Sequence, residues 1–397
     1  MKNLMIDFIG ILGIFAIMGL AWLFSSDRKG INFKAIGIML LLQVLVTWGM
    51  LSTRIGEIVI NAVSSVILKL VDFARAGINF VIGDLKPEGA SVFVIDVLLP
   101  IIFFAALIAI LTWIGLLPWI IRIVGTAVSK ITGLPKLESF NAVSSIFLGQ
   151  SEVLLAIKSH LTNLERQRLY MICASAMGSV SSTIIGAYMT MLPPKYVLVA
   201  MPLNMFSALI IASILMPPRV EKEKDVVQIE KQERRGLFEV IGEGATDGVR
   251  LVAIITGMLI AFIALMEGVN FVTVNLTGLT LQTMLGYVLM PFAVISGVPV
   301  SEAVTAGGIM GTKIILNEFV AMLQFQDLIP HLSAQTVAIV STYLVSFANF
   351  SSIGIIAGTF KAISEKQMPV VAGFGLKLLF GASLASFLTG AMTGLFI

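Results

Sequence analysis

Hydrophobic residues along the chain fall into runs of roughly 20, the length an α-helix needs to cross a bilayer. Such runs occupy about 4–24, 35–52, 93–118, 167–192, 196–216, 250–271, 335–360 and 372–396, which predicts eight membrane-spanning helices. Shorter apolar stretches remain at about 55–83, 119–132, 138–158, 282–296 and 300–326. In the first of these, Arg54, Glu57, Asn61, Ser65, Lys69, Asp72 and Arg75 recur at three- or four-residue spacing. That polar stripe predicts an interfacial amphipathic helix, with a weakly hydrophobic span as the alternative. The run at 4–24 is too long for a signal h-region and lacks an A-x-A-like cleavage site, so it is expected to be a retained helix.

A hydrophilic stretch, "RVEKEKDVVQIEKQERRG" at 219–236, divides the chain. Its six basic and five acidic residues nearly cancel, which predicts a solvated linker. The pieces on either side resemble each other. "GLPKLESFNAVSSIFLGQSEVLLAIK" precedes it and "GVPVSEAVTAGGIMGTKIILNEFVAML" follows it. Each opens with Gly-hydrophobic-Pro, carries an early glutamate (Glu138, Glu302), and ends an apolar segment with an amide and a carboxylate: Gln150 with Glu152, Asn317 with Glu318. Downstream, "SVSSTIIGAY" and "NFSSIGIIAG" interrupt long apolar runs with the pairs Ser181-Ser182 and Ser351-Ser352. Each half thus supplies a short polar-tipped hairpin and then a broken helix.

Basic residues fix an orientation. With the N-terminus outside, the inner side receives most of them, including Arg28, Lys29, Arg122, Lys158, Arg168 and the 219–236 run. The outer side keeps Lys2, Arg54, Lys69, Arg75, Lys86, Lys195 and Lys313. Both termini are then outside, and the two hairpins enter from opposite faces. An inverted repeat of this kind is the architecture of secondary transporters, whose substrate sits near the midplane where broken helices meet. The expected organisation is residues 1–92 as scaffold helices and the interfacial helix. Residues 93–216 form the first repeat, with hairpin 138–158 and broken helix 167–192. After a linker at 217–249, residues 250–397 form the second repeat, with hairpin 300–326 and broken helix 335–360.

Composition agrees. Of 397 residues, 57% are hydrophobic and 12% charged, with a mean hydropathy of +1.00; soluble domains carry about 25% charged residues. A net charge of +3 gives no reason to expect a nucleic-acid partner, and one cysteine, Cys173, excludes an intramolecular disulfide. The sequence has no GxSxG, HExxH, P-loop or Asp-rich diphosphate motif, so neither an enzyme, a resident cofactor nor a bound metal is expected.

Ionisable side chains in the hydrocarbon layer are costly and functional by default, which singles out Glu152 and Glu318. Gln150 and Ser151 flank the first, while Asn349, Ser351 and Ser352 fall at the second helix break. The set is rich in neutral hydrogen-bonding groups, and only Lys158 and Lys313 lie near it in sequence. An anionic substrate would need fixed cations, so a neutral polyhydroxylated or amide-bearing molecule is expected. Phe319, Phe347 and Phe350 offer apolar faces for a ring. Glu138 and Glu302 read as caps or ion pairs, and Asp7 and Glu267 as structural.

At "GLPKLESFNAVSSIFLGQSE", "SSTIIGAYMTML", "NEFVAML" and "SFANFSSIGIIAG" the sequence resembles the bacterial branch of the concentrative nucleoside transporters, over essentially its whole length. The resemblance implies an all-α polytopic protein with eight spans, two re-entrant hairpins and interfacial helices. It also implies a homotrimer working as an elevator in the bacterial plasma membrane. It further implies that Gln150, Ser151 and Glu152 face the nucleobase, that Glu318, Asn349 and Ser352 bind the ribose, and that Phe347 packs on the nucleoside. Ion coupling would fall to Ser145, Leu148, Ser179 and Val180. Sodium-coupled members carry asparagine where this chain has Ser145, so proton symport is expected, with Glu152 or Glu318 protonatable and Na+ the alternative. Gly149 and Thr183 match the pair that accompanies purine preference in animal relatives. Pyrimidine preference, a nucleobase or sugar symporter, a passive channel and a membrane enzyme are the competing readings.

Overall fold

A computed structural model describes residues 2–83, 92–218 and 235–397, with side chains described from Gly10 onward. The charged stretch at 219–234 and the Asp7 side chain lie outside the described residues. Among the described residues every regular element is helical.

The first half opens with α1 (Lys2–Leu23) and α2 (Phe33–Leu51), then α3 (Arg54–Ile82). Asn32 Oδ1 caps α2 by accepting from Ala35 N–H, and Thr53 caps α3 by accepting from Gly56 N–H. A π-helical turn at Val94–Leu98 leads into α4 (Pro100–Trp113), and α5 (Leu116–Thr132) follows at once. The apolar run expected at 93–118 is therefore split. Gly115, with φ 82°, adopts the left-handed conformation that ends a helix and turns the chain into amphipathic α5. Next come α6 (Lys136–Ser144), α7 (Gln150–Ala156), α8 (Lys158–Leu161), α9 (Arg166–Met177), α10 (Ile185–Met191) and α11 (Pro194–Leu215).

The second half begins with α12 (Leu237–Thr277) and α13 (Leu281–Ile295). The order then matches the first half: a short pair α14 (Ala303–Ile315) and α15 (Glu318–Leu328), then an interrupted helix α16 (Ala334–Leu344) and α17 (Phe350–Ile363). α18 (Met368–Ala372) and the long α19 (Gly375–Gly394) complete it.

Six helical stretches among the described residues are long and apolar enough to cross a membrane, and they sort by burial. The interrupted helix at Arg166–Met191 is 94% buried, whereas α12 is 22% buried. The centre is therefore built from α9–α10, α11, α16 and α19, with α2, α3, α4 and α12 around it. Polar side chains fasten this centre. Gln43 on α2 donates to Ser207 Oγ on α11 at 2.6 Å, and Thr389 on α19 donates to the same hydroxyl at 2.8 Å. Hydrogen bonds across helices compensate for the missing hydrophobic drive inside a membrane.

Two further features differ from the sequence pattern. α12 starts at Leu237, well before the apolar run at 250, because its polar first turns still hold a helix. Arg235 pairs with Glu243 at 2.5 Å, and Glu239 accepts from Gly236 N–H. At 41 residues it is roughly 60 Å long, about twice the hydrocarbon thickness. Its N-terminal part packs on α4 through Gly244 and Gly248, where an added Cβ would fall 2.9 Å from Ala106 Cα and 2.6 Å from Ile102 Cα. The other difference is Lys313. Counted with the outer-side charges, it is instead fully buried on α14, so it says nothing about orientation.

The early glutamates tie each short pair to the interrupted helix that follows. Glu138 on α6 receives two hydrogen bonds from Arg168 on α9, at 2.5 and 2.9 Å, and both side chains are buried. Glu302, before α14, accepts from Ser333 N–H at 3.1 Å and Oγ at 2.7 Å and from the Thr336 hydroxyl, at the first turn of α16.

Arg168→Ala leaves the Glu138 carboxylate buried without its partner, which costs about 3–5 kcal/mol. A lowered midpoint of thermal unfolding in detergent is expected, partly restored by adding Glu138→Gln. Gly248→Leu forces α12 off α4 and costs about 1–3 kcal/mol. Gly257→Leu, on the same helix where a Cβ would meet nothing within 4 Å, leaves the midpoint unchanged.

Candidate functional site

Four interruptions in helical structure meet at one place. The gaps are Ser145–Gly149 between α6 and α7, Gly178–Ser181 between α9 and the short 3-10 turn before α10, Leu316–Asn317 between α14 and α15, and Val345–Asn349 between α16 and α17. Serine, asparagine and glycine at these gaps favour caps and turns over continued helix.

Hydrogen bonds join the gaps in series. Ser182 N–H donates to Phe147 C=O at 3.2 Å and its hydroxyl to Ile146 C=O at 3.1 Å, linking the first gap to the second. Phe347 N–H donates to Ser179 C=O at 3.1 Å, linking the second to the fourth. Asn349 Nδ2 then donates to Glu318 Oε2 at 2.9 Å, linking the fourth to the third. Residues from opposite halves of the chain are thereby held together. Asn204 on α11 supports the fourth gap by donating to Val345 C=O.

The carboxylate of Glu318 is buried and held from both sides. Tyr188 OH, from α10, donates to Oε1 at 3.0 Å, and Asn349 holds Oε2. Asn349 Oδ1 meanwhile accepts from Ser352 N–H at 2.9 Å and from Ser351 Oγ at 2.6 Å, capping α17. Asn317 caps α15 by accepting from Val320 N–H at 2.9 Å. Glu318, Asn349, Ser351 and Ser352 therefore form one cluster, as the sequence grouped them.

Gln150, Ser151 and Glu152 open α7 on the neighbouring side. Ser151 Oγ accepts from Thr359 Oγ1 of α17 at 2.8 Å, which brings this tip against the second half. Glu152 is exposed and accepts from Gly149 N–H at 3.0 Å. A Cβ on Gly149 would approach Glu152 Oε1 to 3.4 Å, so the residue at 149 bears directly on that carboxylate. Among the described residues, Gln150 Oε1 and Ser352 Oγ are buried with no hydrogen-bond partner. Leaving such an atom unsatisfied costs about 1–3 kcal/mol, and eight other buried side-chain atoms among the described residues share that state.

The remaining candidates sit around the gaps. Ser145, Ser179 and Val180 are buried, and Leu148 is half-buried. Ser145 Oγ donates to Asn141 C=O at 2.8 Å. Thr183 is buried and shares a 2.7 Å hydrogen bond with Ser181 Oγ. Of the three phenylalanines offered for a ring, Phe347 lies half-buried at the fourth gap. Phe319 is buried edge-on against Tyr188, with ring centroids 5.2 Å apart, and Phe350 is 49% exposed on the outside of α17.

Tyr188, Asn204 and Thr359 escaped sequence reasoning. Each is a polar residue within a mostly apolar run, the one signal that could have found it.

Three family models cover the chain almost end to end: "Na+ dependent nucleoside transporter N-terminus" at residues 12–85, "Nucleoside recognition" at 94–195, and "Na+ dependent nucleoside transporter C-terminus" at 196–394. The chain is 38% identical over 392 residues to the purine nucleoside transport protein NupG of Bacillus subtilis, covering 98% of this chain and 99% of that one. It is 31% identical over 411 residues to the nucleoside permease NupC of Helicobacter pylori, covering 98% and 97%. The transporter CNTnw in an inward-facing substrate-bound state superposes with a TM-score of 0.94 at 30% identity, covering 99% of this chain and 98% of that one. An outward-facing variant of it gives the same score at 29% identity, covering 99% of both. Sequence over the full length and fold thus agree that the chain belongs to the concentrative nucleoside transporter family.

Proposed function

We propose that this chain is a cation-coupled symporter that imports nucleosides, purine nucleosides in preference, across the bacterial plasma membrane. The observation that carries the reading is the junction of four helix gaps. It gathers a buried carboxylate, two amides and several hydroxyls, and two buried acceptors there lack a partner. Vicinal ribose hydroxyls suit Glu318, Asn349 and Ser352. The edge of a base suits Gln150, Ser151 and Glu152, and Phe347 offers the ring its face.

In this reading the pairs α6–α7 and α14–α15 are re-entrant hairpins entering from opposite faces, within an inverted repeat of eight spans. The chain then divides into a scaffold at 1–92, a first repeat at 93–216, a linker and a second repeat at 250–397, with both termini outside. α3 lies along the membrane surface, and three copies assemble around the scaffold while the hairpins and broken helices travel as an elevator. Related chains occur in inward-facing, intermediate and outward-facing states, which supports alternating access.

Protons are the proposed coupling ion. In the proposed coupling set of Ser145, Leu148, Ser179 and Val180, Ser145 takes the position of the asparagine of sodium-coupled relatives, and the exposed Glu152 is the proposed proton-exchanging group. In proteoliposomes, uptake should persist when sodium is replaced by choline and vanish with a protonophore. Strict sodium dependence would reverse the assignment of the ion. Loss of Glu318→Gln uptake is expected for a ribose-bearing substrate, whereas a nucleobase symporter would tolerate it.

Purine preference rests on Gly149 and Thr183, and the similarity to a purine nucleoside transport protein supports it. Inosine and guanosine should outcompete uridine for uptake. The double variant Gly149→Ser with Thr183→Ser should move that ratio toward uridine by about tenfold or more, a difference of about 1.4 kcal/mol. An unchanged ratio would remove these two positions from selectivity.

A further inference from the structure

Lys313 lies in the last turn of α14 and is fully buried. Its Nζ donates to Tyr343 C=O at 2.5 Å, to Ser346 Oγ at 2.6 Å and to Ser386 Oγ at 3.1 Å, and it stands 4.2 Å from the centroid of the Tyr343 ring. No carboxylate is among these hydrogen-bond partners; the Glu318 carboxylate acts on the ammonium only at longer range. Removing an ammonium from water costs several kcal/mol, and a buried lysine is normally matched with an acid. Neutral oxygens and an aromatic face are instead how proteins hold a monovalent cation.

The place is specific. Tyr343 C=O is one of the last four carbonyls of α16, which have no partner inside that helix and form the negative end of its dipole. Ser346 lies within the gap between α16 and α17, one residue from Phe347 and three from Asn349. Ser386 reaches the ammonium from α19. Lys313 therefore ties α14 to the gap of the second interrupted helix.

The first short pair carries no such group in its sequence. Between Lys136 and Lys158 the α6–α7 pair contains no lysine or arginine, and the gap residues Ser145 and Ser179 offer only hydroxyls and carbonyls. The α14–α15 pair carries both Lys313 and Glu318. In the α6–α7 pair Glu138 is held by Arg168, and Glu152 accepts from Gly149 N–H with no ion pair to it among the described residues.

We propose that Lys313 is a built-in cation: its ammonium does at the gap between α16 and α17 what a bound monovalent cation would do, so cation coupling is confined to the first half. This rests on the transporter reading above. Lys313 is a positioning residue, acting through Tyr343 and Ser346 on the segment that bears Phe347 and Asn349.

The test removes the amine and returns it as a small molecule. Lys313→Met should weaken apparent affinity for labelled inosine by about tenfold or more. Lys313→Ala should lose uptake and regain a measurable part of it in methylammonium chloride, but not in choline chloride at equal ionic strength. Methylammonium should also raise the thermal midpoint of purified Lys313→Ala relative to choline and leave the wild-type midpoint unmoved. Three results would overturn the proposal. One is a Lys313→Met protein within about twofold of wild type. Another is a Lys313→Ala protein that treats the two salts alike. The third is a Lys313→Ala protein that cannot be recovered folded even with methylammonium present throughout. A wild-type chain that moves no nucleoside defeats the transporter reading instead, and the thermal response still judges Lys313.

Discussion

One backbone hydrogen bond, from Phe347 N–H to Ser179 C=O, joins the two interrupted helices at their gaps. A helix gap inside an apolar layer exposes peptide groups that water cannot reach, and each must find a partner in the protein. The two gaps meet that need by facing one another. Ser182 extends the solution to the first short pair and Asn349 to the second. Because every member supplies what its neighbour lacks, no gap can be shifted alone, and the polar side chains at the gaps are fixed relative to each other.

The same constraint explains the distribution of buried charge. Arg168 neutralises Glu138 at the base of the first pair, and Glu302 caps the helix at the base of the second. Deeper in, Glu318 accepts from Tyr188 and Asn349, and Lys313 donates to three oxygens. Two of the ten buried side-chain atoms without a partner among the described residues, Gln150 Oε1 and Ser352 Oγ, lie at the proposed base and ribose positions. A substrate that satisfies them restores the accounting that the gaps leave incomplete.

Much of this was legible from residue order. Pairs such as Gln150 with Glu152 and Ser351 with Ser352 stand out because polar clusters are rare in apolar runs. Isolated polar residues are ambiguous in an apolar sequence. Lys313 looked like an outer-side charge because sequence gives no depth, and a lysine stem reaches either an interface or an internal oxygen cage. The extra helix before residue 250 was hidden because ion pairs and caps, rather than apolar spacing, hold it.

Residue order alone was enough for the helical class, the runs and their interruptions, the likeness of the two halves and the grouping of Asn349, Ser351 and Ser352 at one helix break. These follow from hydrophobic spacing and from the turn preference of serine, asparagine and glycine, which are local properties. It took the folded chain to establish which gap faces which, that Tyr188 and Asn349 share Glu318, and that Lys313 closes the end of α16. Those choices depend on where carbonyls orphaned by one helix come within about 3 Å of donors from another, a relation between distant segments that no local pattern encodes.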